Sequence, residues 1–149
     1  MAVKPIPEGF HTVTPYLVAK DAAALIDFIT RGLGGQEKFV MKRPDGSIGH
    51  AEMIVGDSHV MIGQAGGANP AFPAMLYLYV RDVDATFKQA VAAGGQSLHE
   101  PSTQFYGDRH GAVTDSNGNQ WWIATHVEDV SQEELERRAA AAQHQPATA

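Results

Sequence analysis

With 149 residues, 44% of them hydrophobic and 19% charged, the chain has the composition of a folded globular protein with room for one substantial core. A net charge of −6 and a pI near 5.5 argue against nucleic acid or an anionic membrane as partner and favour neutral or cationic ligands. The absence of cysteine removes disulfides, thiolate metal sites and cysteine nucleophiles, and with no apolar run of membrane-spanning length and no signal-peptide pattern a cytoplasmic protein is expected.

Residues up to about Glu8 read as an extended lead-in around Pro5 and Pro7. His11 to Val18 is a strand candidate, with Pro15 suited to an edge or a bulge. Asp21 is placed to cap a helix from Ala22 to about Arg31, in which Leu25, Ile26, Phe28 and Ile29 share one side; Gly32, Gly34 and Gly35 end it. A strand over Glu37 to Lys42 leads to a turn at Pro44-Asp45-Gly46. Ala65 to Pro73 has the composition of a linker, and Ala74 to Val80 alternates as a strand. A helix is predicted from about Val83 to Ala93, ended by Gly94-Gly95, then a short strand over Gln96 to His99 and a loop over Pro101 to Asp108. His110–Thr114 and Gln120–Thr125 form a hairpin around Ser116-Asn117-Gly118-Asn119. Ser131 and Glu134 make a capping box for a last helix through about Ala141, with Glu133–Arg137 and Glu134–Arg138 pairs, before a frayed end at 142–149.

The stretch Gly49–Gln64 organises the first half. Gly56-Asp57 between two β-prone runs is a two-residue hairpin signal, which places Val55 opposite Ser58, Ile54 opposite His59 and Glu52 opposite Met61. One face of that hairpin then carries His50, Glu52, Ile54, His59 and Met61, the other Ala51, Met53, Val55, Val60 and Ile62. The second face is apolar and should meet helices; the first has the mixed chemistry of a cleft wall.

The chain also repeats itself. Tyr16-Leu17, Lys20-Asp21 and Gly34-Gly35-Gln36 recur as Tyr77-Leu78, Arg81-Asp82 and Gly94-Gly95-Gln96, and the same offset brings Met61 to Trp122 and Ile62 to Ile123. The fold expected is α+β: two tandem βαβββ modules forming a curled mixed sheet around a cleft, with helices on the outer face. All 149 residues make one domain, with module one at about 11–64, a linker at 65–73, module two at about 74–126 and a C-terminal helix at about 131–141.

This duplication resembles the vicinal oxygen chelate superfamily of glyoxalases, bleomycin- and fosfomycin-resistance proteins and extradiol dioxygenases, and more narrowly its PhnB-like branch. The likeness is carried by Thr14-Pro15-Tyr16-Leu17, Gly49-His50-Ala51-Glu52-Met53, Tyr79-Val80-Arg81-Asp82-Val83-Asp84, Tyr106-Gly107-Asp108-Arg109, Asp115 with Gly118 and Trp121, and Glu128-Asp129-Val130-Ser131. It spans about residues 12 to 138. Metal-dependent members hold a divalent ion with His, Gln or Glu on the first and last strands of each module. The resemblance maps those places onto Thr14, Met61, Met75 and Trp122, none of which suits a hard or borderline dication. No metal and no other cofactor is therefore expected.

What remains is a set of cleft-facing side chains. Tyr16, Met75, Tyr77 and Tyr79 share the inner face of the two leading strands, joined by His59, Met61, Tyr106 and Trp122, a lining suited to a flat, partly apolar small molecule. Arg109 is a candidate for orienting an anionic or carbonyl group. For Asp108 and Trp121 a structural role is expected, an Asp108–Arg109 pair and a core ring. Val113 should face Trp122 across the second hairpin, which sends Trp121 and Ile123 to the core and Gln120, Trp122 and Ala124 to the cleft. The leading expectation is a metal-free small-molecule-binding protein, of a kind that sequesters a planar or cationic drug-like compound, acting as a homodimer. The alternative is a lyase, isomerase or dioxygenase using His50 and Glu52 as a catalytic pair or displaced metal site, the only setting in which a divalent metal enters.

Overall fold

The computed structural model describes residues 2–144. Module one comprises β1 (Tyr16–Ala19), α1 (Ala22–Leu33), β2 (Gln36–Lys42), β3 (Ile48–Val55) and β4 (Ser58–Gln64). Module two repeats the plan with β5 (Met75–Tyr79), α2 (Val83–Ala92), β6 (Gln96–Thr103), β7 (Asp108–Thr114) and β8 (Gln120–His126), and α3 (Gln132–Gln143) follows. Each module builds its own four-stranded mixed sheet, ordered β1-β4-β3-β2 and β5-β8-β7-β6, with the leading strand parallel to the last and the other pairs antiparallel.

The two helices start by the same device. Asp21 accepts a hydrogen bond from the Ala24 amide and Asp82 one from the Ala85 amide, both at 3.1 Å, satisfying backbone donors that the first turn leaves free. Gly34 closes α1 with φ of 69°, a left-handed conformation that a side chain would disfavour. Gln64 and Thr125, at matching places on β4 and β8, each bridge the helix start to the preceding strand: Gln64 joins Ala22 and Lys20, Thr125 joins Val83 and Val80.

Alternation sends one face of each sheet inward. Leu17, Ala51, Met53, Val60 and Ile62 from module one, and Val113, Trp121 and Ile123 from module two, are buried with Leu25, Phe28, Ile29, Val83 and Phe87 in one cluster. Each such large side chain contributes about 1.5–3 kcal/mol by leaving water. Phe28 of α1 lies 6.2 Å from the Trp121 ring, and Gly32 faces Ala90 and Ala93, so the modules meet through their helix-bearing faces. Their other faces carry the mixed chemistry, and among the described residues no hydrogen bond joins one such face to the other. Among the described residues no helix is long and apolar enough to cross a membrane.

Several boundaries move. The leading strand begins at Tyr16 rather than His11, because Pro15 has no amide to donate and Thr14 instead caps back onto the His11 carbonyl. β6 runs to Thr103 and takes in Pro101, which an edge strand tolerates at an irregular stretch. Ala112, not Val113, faces Trp122, and Val113 faces Trp121. The reason is the loop: Asp115 leaves the strand, and its Oδ1 accepts from the amides of Asn117 and Asn119, making a five-residue connection. Its Oδ2 accepts from Trp121 Nε1 at 2.8 Å. Asn117 then reaches across to the amide and carbonyl of Asp21, and Asn119 accepts from the Ala74 amide. In α3 the Ser131 cap forms as expected, but Arg137 and Arg138 both take Glu134, leaving Glu133 out. The helix extends to Gln143; residues 145–149, expected to fray, lie outside the described part.

Candidate functional site

The module-one face is built as the hairpin register requires, with Glu52 opposite Met61 and Ile54 opposite His59. Tyr16 reaches over β4 to place its hydroxyl 3.3 Å from His50 Nδ1. Gly63 makes room for that ring: a Cβ there would sit 2.7 Å from the Tyr16 hydroxyl. His50 Nε2 is 3.6 Å from one Glu52 oxygen, and Lys38 Nζ is 3.9 Å from the other. His59 does not open onto this group. Phe10 of the lead-in stacks on it at 4.1 Å, and Lys38 lies over the Phe10 ring.

Module two repeats the tyrosine–histidine pair and surrounds it differently. Tyr16 pairs with Met61 and Tyr77 with Trp122; His50 faces Gly63 and His110 faces Ala124. Tyr77 and His110 are thus the counterparts of Tyr16 and His50, with the Tyr77 hydroxyl 3.2 Å from His110 Nδ1. The Tyr106 hydroxyl approaches the same nitrogen at 3.1 Å. The rings of Trp122 and His99 stand edge-on to His110 at 5.1 and 5.2 Å. Tyr106 is held by its loop, where Gly107 adopts φ of 99° and its carbonyl accepts from the amides of Val127 and Glu128. Arg138 of α3 adds a bond to the Phe105 carbonyl and an ion pair with Glu128.

Beneath this group lies Asp108, 5% exposed. Its Oδ2 accepts the hydroxyls of Tyr77 and Tyr79, each at 2.9 Å, and its Oδ1 faces His126 Nδ1 at 2.9 Å. His126 Nε2 is 2.7 Å from Asp129. Burial opposes ionisation of Asp108, but the hydrogen bonds from His126, Tyr77 and Tyr79 outweigh it and hold the carboxyl below its ordinary value. Hydrogen bonds to Asp108 and then Asp129 raise His126. Burial, then Asp108, pushes the Tyr77 phenol up; for Tyr79 the Asp108 hydrogen bond leads, and for Tyr106 burial does. His110 is lowered by burial and then by the neighbouring His99. The face therefore holds three protonated phenols around a neutral imidazole.

The sequence candidates divide accordingly. Tyr77, Tyr79, Tyr106 and Trp122 come together on module two, and Tyr16, Met61, His50 and Glu52 on module one. Met75 is 62% exposed at the start of β5 and lines, with Tyr16, Tyr77 and Tyr79, a half-open hollow of about 1520 Å³ between the β1 and β5 edges. Arg109 goes elsewhere. Strand alternation turns it to the helix side, where it makes a bidentate pair with Asp84 at 2.8 and 2.9 Å, and Asp108 takes His126 in its place. His110, His99 and His126 are residues the sequence reading did not single out. Parity from Asp108 along β7, together with the match of His50 to His110 in the repeat, marks the first of them.

A divalent ion of the superfamily type does not fit these residues. The four corresponding places hold a hydroxyl, two thioethers and an indole. The displaced pair His50–Glu52 offers two donors, with an ammonium group already at the second Glu52 oxygen. Among the described residues no group of three or more His, Cys, Asp or Glu is arranged to hold a metal.

Comparison with known proteins agrees with the architecture. A model of the glyoxalase/bleomycin resistance protein/dioxygenase superfamily matches residues 9–123. Uncharacterized proteins of Mycobacterium bovis and Mycobacterium tuberculosis are 31% identical, the alignments covering 83% of this chain and 89% and 79% of theirs. Among solved structures, TioX from Micromonospora sp. ML1 superposes with a TM-score of 0.68 at 23% identity, covering 78% of this chain and 99% of that one. A superfamily enzyme from Burkholderia phytofirmans does so with a TM-score of 0.62 at 18% identity, covering 76% and 97%. Two βαβββ modules, their strand orders and the matched span lead to one assignment: the chain belongs to the glyoxalase/bleomycin resistance protein/dioxygenase superfamily.

Proposed function

We propose that this chain is a cytoplasmic, metal-free small-molecule-binding member of the superfamily, of the PhnB-like branch, taking a planar and partly apolar ligand as a homodimer. The observation that carries this is the cluster of Tyr77, Tyr106, Trp122 and His99 around His110, on a face where the described residues offer no metal-binding set. Exposed Phe39, Met41, Met75 and Tyr79 on these faces supply the apolar surface that a second copy would cover. A thermal-shift panel of planar antibiotics, quinones and keto-acid thioesters, with and without divalent metals, tests it. A binder at about 100 times its Kd adds roughly 2.7 kcal/mol, and the gain is expected to survive EDTA. Purified protein carrying stoichiometric Zn, Ni, Mn or Fe, with binding lost on chelation, would overturn the reading.

The 3.6 Å approach of His50 to Glu52 favours the second reading, a lyase, isomerase or dioxygenase centred on that pair. Its test is turnover in His50→Ala and Glu52→Gln. Unchanged behaviour of both variants removes it.

A further inference from the structure

We infer that His110 presents an unprotonated Nε2 to the module-two face, and that this nitrogen accepts a hydrogen bond from a planar ligand carrying a weakly acidic O–H or N–H. The inference rests on the small-molecule reading above and adds the contacting atom and the ligand class.

The tautomer follows from counting protons. Tyr77 has one hydroxyl proton and two neighbours, the Asp108 carboxylate at 2.9 Å and His110 Nδ1 at 3.2 Å. A charged acceptor at the shorter distance takes that proton. The Tyr77 oxygen can then meet His110 only as an acceptor; a bare Nδ1 could take the Tyr106 proton but would set its lone pair against the Tyr77 oxygen at 3.2 Å, whereas an Nδ1 hydrogen serves both oxygens and leaves the lone pair on Nε2. Releasing Tyr77 to reverse the arrangement would take from the buried Asp108 carboxylate one of its three partners. The Tyr106 oxygen, 3.1 Å from the same Nδ1, shares that hydrogen.

Nε2 has no protein partner among the described residues. Those in which a side-chain nitrogen is both sealed from solvent and partnerless are His59 and His99, each at Nδ1, so Nε2 of His110, in a ring 7% exposed, is not sealed. The groups facing it come from every neighbouring element: Tyr77 and Tyr79 from β5, His99 from β6, Tyr106 from the β6–β7 loop, Trp122 from β8, and His126 through Asp108. Apart from Asp108 and the two histidines, these groups are phenols and an indole. Such walls take a flat ligand by stacking and edge contact. A lone pair among them rewards a donor and turns away a group that has only lone pairs, while the Asp108 charge below disfavours anions.

The test uses the full-length protein labelled with ¹⁵N-histidine. Long-range ¹H–¹⁵N spectra are expected to show one neutral Nδ1–H imidazole that disappears in His110→Gln. If that variant does not fold, Tyr77→Phe, which keeps the ring and removes the oxygen, identifies the signal by shifting its Nδ1. Adding 4-nitrophenol at about pH 6, where it is a neutral phenol, should move the Nε2 resonance; the methyl ether 4-nitroanisole should not. In calorimetry the phenol should bind about tenfold more tightly than the ether, the order expected of one hydrogen bond, and His110→Phe should erase the preference. An Nε2–H tautomer, a charged imidazole, or equal affinities for the two probes overturns the inference. Equal binding with Nε2 unmoved leaves the small-molecule reading standing; failure of both probes and of the planar panel ends both, whatever the tautomer.

Discussion

The two modules hold the same tyrosine–histidine pair on the same backbone and make different things of it. In module one the carboxylate stands two residues after the histidine, at Glu52, where Lys38 reaches it and the His50 and Glu52 side chains are 22% and 19% exposed. In module two that place is Ala112, and the carboxylate stands two residues before, at Asp108, under two tyrosines and a histidine. Phe39 gives way to His99, Met61 to Trp122 and Val18 to Tyr79. The lesson is that a duplicated scaffold preserves where a histidine sits, while its role is set by the side of it on which charge is buried. One pair becomes part of a partly exposed polar edge; the other becomes a fixed ring in an aromatic box.

The largest expected effect separates core from face within module two. Trp121 is fully buried with its indole nitrogen on Asp115, whereas Trp122 is half-buried beside His110. Trp121→Ala is expected to cost about 3–5 kcal/mol in urea unfolding. Trp122→Ala should cost less and instead weaken or broaden ligand binding, read by calorimetry. Equal costs would erase the distinction between the two faces.

Next comes the histidine comparison itself. His110→Ala removes a buried ring whose Nδ1 meets two phenol oxygens and should cost about 1–3 kcal/mol, while His50→Ala should fall within about 0.5 kcal/mol of wild type. Denaturant melts of both variants under one condition decide it.

A smaller effect is expected from pH. His126 is raised in the folded state, so its contribution is complete below its unfolded value of about 6.5 and is lost as pH climbs through the folded one. Asp108 is lowered, so its contribution is present above about 3.9 and is lost as pH falls toward the folded value. Wild-type protein should therefore lose stability on the alkaline side of 6.5, and His126→Gln should not, in unfolding curves taken across pH. The smallest effect belongs to Arg109→Ala. With its guanidinium held by Asp84 on the helix side, ligand affinity should not change. A large loss would return Arg109 to the site.

Backbone architecture was largely legible because alternation and a 61-residue offset are local, repeated signals. The first hairpin could be registered from Gly56-Asp57 alone, since a two-residue turn leaves no freedom. The second could not, because Asp115 looks like a strand residue until its carboxylate is seen gathering the loop amides. That single residue shifted the partner of Trp122, though not its face. The site was legible in part for a related reason. Tyr77, Tyr106 and Trp122 announce themselves by type, whereas His99, His110 and His126 acquire meaning only when Asp108 is buried among tyrosines, which depends on strands far apart in sequence. Arg109 shows the converse: a residue type suited to ligand binding, turned away by parity.

The loop that upset the register has a further consequence for the history of the fold. Asn117, at its tip, holds both the amide and the carbonyl of Asp21, the residue that begins the helix of the other half. The matching connection in the first half is the bare Gly56-Asp57 turn, too short to offer Asp82 anything comparable. The halves repeat, yet they are not interchangeable. A permuted chain with the second half first keeps the clasp only while both halves stay joined. Two copies of the first half have no clasp at all, and two copies of the second would need an acceptor and donor wherever each loop lands. What began as symmetry has acquired a direction.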